Sequence, residues 1–516
     1  MTRIIYNGQI YLSRTASCQA LIIQNGRIAI TGSSQELLGQ APPDAEKIDA
    51  RGALILPAFH DSHLHLAWIG RRTQGIDAAG AASIDEIISR SQQLIARRKL
   101  PPAAWIQGAG VNPDRFTSGE PRDLRREDLD RISVQHPVII SRHCGHTIYC
   151  NSLALKLAGL DRAAPPVAGG TIETDAAGRP TGVLRENANF LIWNTIPPHT
   201  PAGMREFITL GMEKAVSLGI SAMGSFDTDG ADFDTVLSVY QAVYDEARAA
   251  GRPRPRITMQ CGISGQERLL DAYLTRGALS GRALWEHPVW GTCLRMGPVK
   301  LFADGTLGGR TAWMRRPYRD KPDTCGFPVL EPEALASLIQ RAAAGGMQTA
   351  VHAIGDAGIE AVIAAFERIT APGANPLRHG IIHCQITSPD LLERMARNRI
   401  LALAQPIFLA DDRHILESRV GAALAATSYA WRSMDALGVP VSYGTDAPVS
   451  DLNPLLGIEW AVRRGAPGGC FYPAEQVNIH TAVEAYTAGS AFAAFAEREL
   501  GRIAPGYAAD LVFLDR

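Results

Sequence analysis

Residues 57–65 read Pro57-Ala58-Phe59-His60-Asp61-Ser62-His63-Leu64-His65. The apolar run Leu54 to Phe59 leads into this polar segment and reads as a buried strand that ends in it. Side chains alternate faces along an extended chain, so His63 and His65 share a face. His60 lies an odd number of positions from both and points the other way. Two imidazoles at the C-terminal end of a buried strand form a natural pair of metal ligands. A pair spaced this way also arises by chance, so its weight depends on what the rest of the chain places beside it.

Downstream, short apolar runs recur as strand, loop and helix. Buried strands are expected at Leu54 to Phe59, Ile220 to Ser225, Arg256 to Cys261, Gly297 to Phe302, Gln348 to His352, Gly380 to Cys384, Ile400 to Ala404 and Pro440 to Gly444. Helical stretches lie between them, for example Pro332 to Ala344 and Asp356 to Ile369. Eight such units predict an α/β fold, a (β/α)8 TIM barrel. About 160 residues separate the first strand from the second, where one unit needs about 30. A subdomain of roughly residues 70–210 is therefore expected as an insertion after strand 1. Upstream, short strands broken at Asn7-Gly8 and Asn25-Gly26 carry hairpin signals. The closing Leu511 to Leu514 is again an apolar strand after a turn. Both chain ends are expected to build one small β-sandwich from residues 1–56 and 499–516, with the barrel over 57–498.

Lys300, His352, His383 and Asp446 each fall at or just beyond the C-terminal end of an expected strand, numbers 4, 5, 6 and 8. His352 and His383 are 31 residues apart, one βα unit, and His383 and Asp446 are 63 apart, two units. Catalytic residues of such barrels come from strand ends on that one face. Lysine in a buried strand is rare unless paired. Asp446, in Gly444-Thr445-Asp446-Ala447-Pro448, would by itself also suit a helix cap.

This set resembles the amidohydrolase superfamily in its binuclear form, with HxH on strand 1, Lys on strand 4, His on strands 5 and 6 and Asp on strand 8. Val299-Lys300-Leu-Phe-Ala-Asp304-Gly-Thr-Leu-Gly-Gly-Arg310, His146-Thr-Ile-Tyr-Cys-Asn151 and Trp105-Ile-Gln-Gly108 are similar to the YtcJ-like, or amidohydrolase-3, branch, which includes N-substituted formamide deformylases. The resemblance covers essentially the whole chain. It implies two divalent metal ions, with zinc the expected identity, and carboxylation of Lys300 by CO2. An ammonium cannot sit between two cations, whereas a carbamate offers two anionic oxygens. It further implies that His63, His65 and Asp446 hold the more buried metal, and His352 and His383 the other. The strand-1 motif departs from the usual Pro-Gly-Phe-Ile/Val-Asp at Ala58 and His60, and the chain stops at Arg516, where relatives add further strands.

Other motifs count for less. Gly305-Thr-Leu-Gly308-Gly309-Arg310 lacks the Gly-Lys-Ser/Thr ending of a phosphate loop and reads as a flexible active-site loop. Asp304 and Arg310 on that stretch, Trp105, and His146 are the candidate substrate contacts. The segment Arg142 to Cys150 has no CxxC pair of the kind that marks a structural zinc.

Composition sets the limits. Hydrophobic residues are 46% and charged residues 20% of 516, which excludes a disordered chain. Lys+Arg 51 against Asp+Glu 52 leaves a net charge of −1, so nothing electrostatic favours nucleic acid or an anionic membrane. No apolar run reaches the roughly 18 residues of a membrane span. The N-terminus lacks a secretory pattern. Eight scattered cysteines without a CxxC pair suit reduced thiols, so a cytoplasmic enzyme with a small-molecule substrate is expected. A homodimer is left open.

The expected function is hydrolysis of a C–N bond in an amide-like small molecule, such as an N-substituted formamide, N-acyl amine or cyclic amide. Metals would polarise the carbonyl and generate hydroxide at neutral pH, with Asp446 shuttling the proton. The rivals are a mononuclear deaminase or cyclic amidase, an ester or lactone hydrolase on the same fold, and a binding protein that kept the fold. Lys300 argues against the first, and the full ligand set argues against the last.

Overall fold

The computed structural model describes residues 2–142, 147–167, 170–197, 199–228, 232–263, 267–277, 279–466 and 469–514. Contacts divide the chain into two compact units, Met1–Leu66 with Met212–Arg516, and Ala67–Gly211.

In the first unit, eight parallel strands form a nearly closed barrel: β1 (Phe59–Leu64), β2 (Ile220–Ser225), β3 (Arg256–Gly262), β4 (Gly291–Phe302), β5 (Thr349–Ala353), β6 (Gly380–His383), β7 (Leu401–Ala404) and β8 (Val441–Tyr443). They are hydrogen-bonded in chain order from β1 to β8. Every residue of β1, β5, β6 and β7 is buried, which is why β6 and β7 read as mostly apolar runs, while β1 buries the polar His60, Asp61, Ser62 and His63. Each buried Leu, Ile or Val there contributes roughly 1.5–3 kcal/mol relative to exposure. Between strands, Pro332–Ala344 starts with proline in its first turn, and Asp356–Glu367 starts after Gly355.

The first expected strand is divided. Leu54–Pro57 pairs with Leu511–Leu514 and with Gln9–Ser13 in a four-stranded sheet, while the barrel strand begins at Phe59. Proline at 57 has no N–H to continue a ladder, and the next amide, of Ala58, bonds to the Asp510 carbonyl at 2.9 Å. The chain thereby passes from one sheet to the other. β4 is also longer than expected: it starts at Gly291 and pairs antiparallel with Ala283–His287, a hairpin the apolar pattern did not mark.

A second terminal sheet has Thr2–Tyr6, Ala20–Gln24, Arg27–Gly32 and Glu46–Asp49. Asn25 and Gly26, with φ of 50° and 76°, make the tight turn of its hairpin. Ile5, Leu21 and Ile23 of this sheet share one buried cluster with Ile10 and Ile55 of the other.

Closure between β1 and β8 depends on a buried carboxylate. Asp61 accepts from the amide and hydroxyl of Thr445, at 3.0 and 2.6 Å, and from the amide of His63 at 3.1 Å. Left unpaired, such a group would be costly at zero exposure. Beside it, Asp446 N–H donates to the His63 carbonyl and His65 N–H to the Ala447 carbonyl, each at 2.8 Å. Position 444 must be glycine, because a Cβ there would lie 2.7 Å from the His63 nitrogen.

The unit Ala67–Gly211 has its own six-stranded sheet and a 15-residue helix, Ile84–Arg98, capped by Ser83. Its core gathers Ile87, Leu129, Val138 and Ile140. Among the described residues no helix is long and apolar enough to cross a membrane. The seven described cysteines are free thiols.

Candidate metal centre

His63 lies near the end of β1 and His65 just beyond it, and Asp446 follows β8. One ligand atom from each lies within 4.8 Å of the others. His63 Nε2 is 3.4 Å and His65 Nε2 3.1 Å from the same oxygen, Asp446 Oδ1. The other ring nitrogen of each histidine is engaged elsewhere. His63 Nδ1 is 2.8 Å from Gln260 Oε1, and the Gln260 amide is oriented by donating from Nε2 to the Ser62 carbonyl at 3.1 Å. An acceptor at Nδ1 makes that nitrogen the protonated one, so Nε2 presents its lone pair toward Asp446. His65 differs: burial lowers its pKa, but the hydrogen bond and charge of Asp446 leave it raised, so Nε2 donates to Asp446 Oδ1 while Nδ1 lies 3.1 Å from the Phe226 carbonyl.

His383 repeats the arrangement at the end of β6. Its Nδ1 is 2.8 Å from Gln405 Oε1, and Gln405 Nε2 donates to the Leu403 carbonyl at 2.9 Å. His352, on β5, has Nε2 2.9 Å from the Gly305 carbonyl, which leaves Nδ1 as its lone-pair nitrogen. The two rings are 4.4 Å apart, and His63 is 6.1 Å from His383. His383 and Asp446 have φ of 75° and 56°, left-handed conformations that non-glycine residues adopt at some cost. Lys300 is buried on β4, its Nζ 4.2 Å from the centre of the Phe302 ring, and its charge acts on His63, His65, His352 and His383 alike.

The electrostatics suit a cation. Burial brings His63 and His352 down to about 3 and holds His383 well below its ordinary value, so these imidazoles are neutral, the form that binds metal. Burial alone would raise Asp446, but the His65 hydrogen bond and the neighbouring histidines keep it well below the usual carboxylate range. Imidazole nitrogens and one anionic oxygen converging at strand ends fit a divalent ion, whose binding would displace the His65 proton.

The remaining candidates stand as follows. Asp304 is buried, and its oxygens accept from the amides of Ile354, Gly355 and Trp313 at 3.0, 2.8 and 2.9 Å, with Oδ1 3.6 Å from His352 Nε2. Burial pushes it up to about 7. Arg310 is paired with Asp320, Nη2 to Oδ2 at 2.7 Å. Trp105 packs against a cluster containing Ile139, Leu155 and Leu184 in the unit Ala67–Gly211. His146, with His143 and Cys144, lies outside the described residues. His60 is buried and responds to Arg295 and Arg256, a different set of neighbours from that of His63. Cys384 packs with its sulfur 3.7 Å from that of Met395.

Reading the sequence missed Gln260 and Gln405, which orient two of the histidines. The available signal was a polar residue at the C-terminal end of an otherwise apolar strand. Gln260→Leu should weaken metal binding by roughly 10–100-fold, the usual effect of losing such an outer partner, as measured by titration against a chelator.

A nearly closed parallel barrel with a histidine–aspartate cluster at its strand ends defines the class of metal-dependent hydrolases. The chain belongs to the amidohydrolase family, whose model matches residues 46–516. It is 34% identical over its full length to the Bacillus subtilis (strain 168) protein named "Putative amidohydrolase YtcJ", covering 94% of that protein. It is 27% identical to the N-substituted formamide deformylase of Arthrobacter pascens, over 98% of this chain and 91% of that one. Among solved structures, an uncharacterized metal-dependent hydrolase from Pyrococcus furiosus superposes with a TM-score of 0.79 at 28% identity, covering 100% of this chain and 99% of its own. The protein is a hydrolase acting on amide-type bonds.

Proposed function

We propose that the protein hydrolyses a C–N bond of a small amide, with an N-substituted formamide as the first substrate class to try. His63, His65 and Asp446 would hold one divalent ion, and His352 and His383 a second, with carboxylated Lys300 between them. The observation that carries this reading is the convergence of two imidazole nitrogens on a single buried carboxylate oxygen. Two imidazoles and a carboxylate gathered in a buried site form a ligand set in which a divalent cation would replace the His65 proton.

Divalent ions bound there supply Lewis-acid polarisation of the scissile carbonyl and acidify water near neutral pH. The Asp446 carboxylate, with one oxygen held toward His63 and His65, would take the proton of the attacking water and return it to the leaving amine, a general base and then a general acid. Gln260 and Gln405 hold His63 and His383 in one tautomer. Asp304 braces the turn after β5 and the loop containing Gly305, which orients His352. Zinc, the carbamate on Lys300 and a cytoplasmic setting belong to this proposal. We read the two terminal sheets as the expected sandwich and the unit Ala67–Gly211 as the inserted subdomain.

A one-metal reading has one observation in its favour: among the described residues, the group within 4.8 Å is His63, His65 and Asp446. Elemental analysis of fully active protein, prepared with zinc and bicarbonate, decides between the two. Close to two ions per chain is expected; one tight ion would favour the mononuclear reading, and none would sink both. A substrate panel of formamides, N-acyl amines, hydantoins and lactones tests the bond cleaved.

A further inference from the structure

Arg419 is about nine-tenths buried, yet among the described residues its Nε and Nη1 have no hydrogen-bond partner. The nearest carboxylate oxygen, Asp320 Oδ2, is 3.7 Å from Nη1, too far for a hydrogen bond. Asp320 is already held by Arg310, with Nε to Oδ1 at 3.2 Å and Nη2 to Oδ2 at 2.7 Å. Asp412, the other acid that acts on Arg419, gives Oδ2 to the Tyr429 hydroxyl and to Gln385 Nε2. Two guanidiniums thus share the single carboxylate of Asp320. A buried guanidinium without an acceptor is expensive, and a carboxylate that accepts from it offsets the cost.

The segment that carries this cation packs against the metal centre. Arg419 belongs to the segment after β7, in which Phe408 stacks on His383 with ring centres 5.6 Å apart. Gln385, bonded to Asp412, lies two residues beyond His383. Arg310 ends the loop after β4 in which the Gly305 carbonyl meets His352. The amide of Arg319 donates to the Arg419 carbonyl at 2.9 Å, which joins the segments after β4 and β7. Both segments follow strand ends on the face where barrels of this kind bind substrate.

We propose that Arg419, assisted by Arg310, receives an anionic group of the substrate, so that the preferred substrates are amides bearing a carboxylate on the side of His352 and His383. This rests on the reading of the centre as a C–N hydrolase and narrows it from formamides in general to acidic ones, such as N-formyl or N-acyl amino acids.

The test compares an N-formyl amino acid with its carboxamide, using metal-loaded full-length protein. The ratio of kcat/KM, acid over carboxamide, should favour the acid and fall by roughly 10–100-fold in Arg419→Met, the range expected for one charge-assisted hydrogen bond. A merely structural role would lower both rates and leave the ratio in place, and that result overturns the proposal. If neither compound is cleaved, the C–N reading fails, and calorimetry with phenylacetate and phenylacetamide still reports on the subsite. Tighter binding of phenylacetate that is lost in Arg419→Met supports it. Equal binding in wild type and variant assigns the anion to the metals and overturns it. Asp320→Asn, which removes the competing carboxylate, should tighten phenylacetate binding, a gain that misfolding cannot imitate; unchanged or weaker binding in a folded variant overturns the proposal.

Discussion

An Asp446→Asn protein should retain most of its metal while turnover falls by roughly 10²–10⁴-fold, the range typical of a lost acid/base group. The backbone of residue 446 is tied to β1 by its own amide, which donates to the His63 carbonyl at 2.8 Å. That bond survives the substitution, and the asparagine carbonyl oxygen can take the place of Oδ1 opposite His63 and His65. An amide cannot accept and return a proton near neutral pH, so the shuttle has no substitute. Binding of a substrate analogue should persist, and the acid limb of the pH–rate profile should vanish or move in whatever activity remains. Near-normal turnover with an unmoved acid limb would show that another group is the base, with Asp304 and His146 next in line.

Removal of ligands should act differently, because metal and activity are then lost together. His63→Ala or His65→Ala deletes a nitrogen that faces Asp446, and the metal-affinity loss should exceed the 10–100-fold of an outer partner. Lys300→Ala separates the two-metal from the one-metal reading. With a bridging carbamate, the variant loses most of its activity and a short carboxylic acid partly restores it by occupying the bridge. Without one, Lys300 serves only as a buried cation beside Phe302. Wild-type turnover and metal content in Lys300→Ala would end the carbamate proposal. The rescue assay guards against misfolding, since added acid cannot repair an unfolded barrel.

Much of the centre was legible from residue order alone. His63 and His65 share a face because the pleat has period two, and His352 and His383 fall one βα unit apart because each strand of a parallel barrel returns to the same end. Both rules act along the chain, so they can be read without coordinates. The expected first strand, Leu54 to Phe59, was apolar enough to pass as one element. It serves two sheets, because the partners that divide it, Leu511–Leu514 and Ile220–Ser225, are remote in sequence.

Residue type and spacing were therefore enough for the barrel and the strand-end histidines, since each follows from local periodicity, while the family resemblance was carried by the motifs themselves. Three features required the folded chain. Gln260 orients His63 from 197 positions away, and Asp61 joins Thr445 across 384. The unsatisfied guanidinium of Arg419 depends on Asp320 being already engaged by Arg310. A hydrogen bond between distant residues has no periodicity of its own. Which donor meets which acceptor, and which is left over, is settled when barrel closure brings the strand ends together.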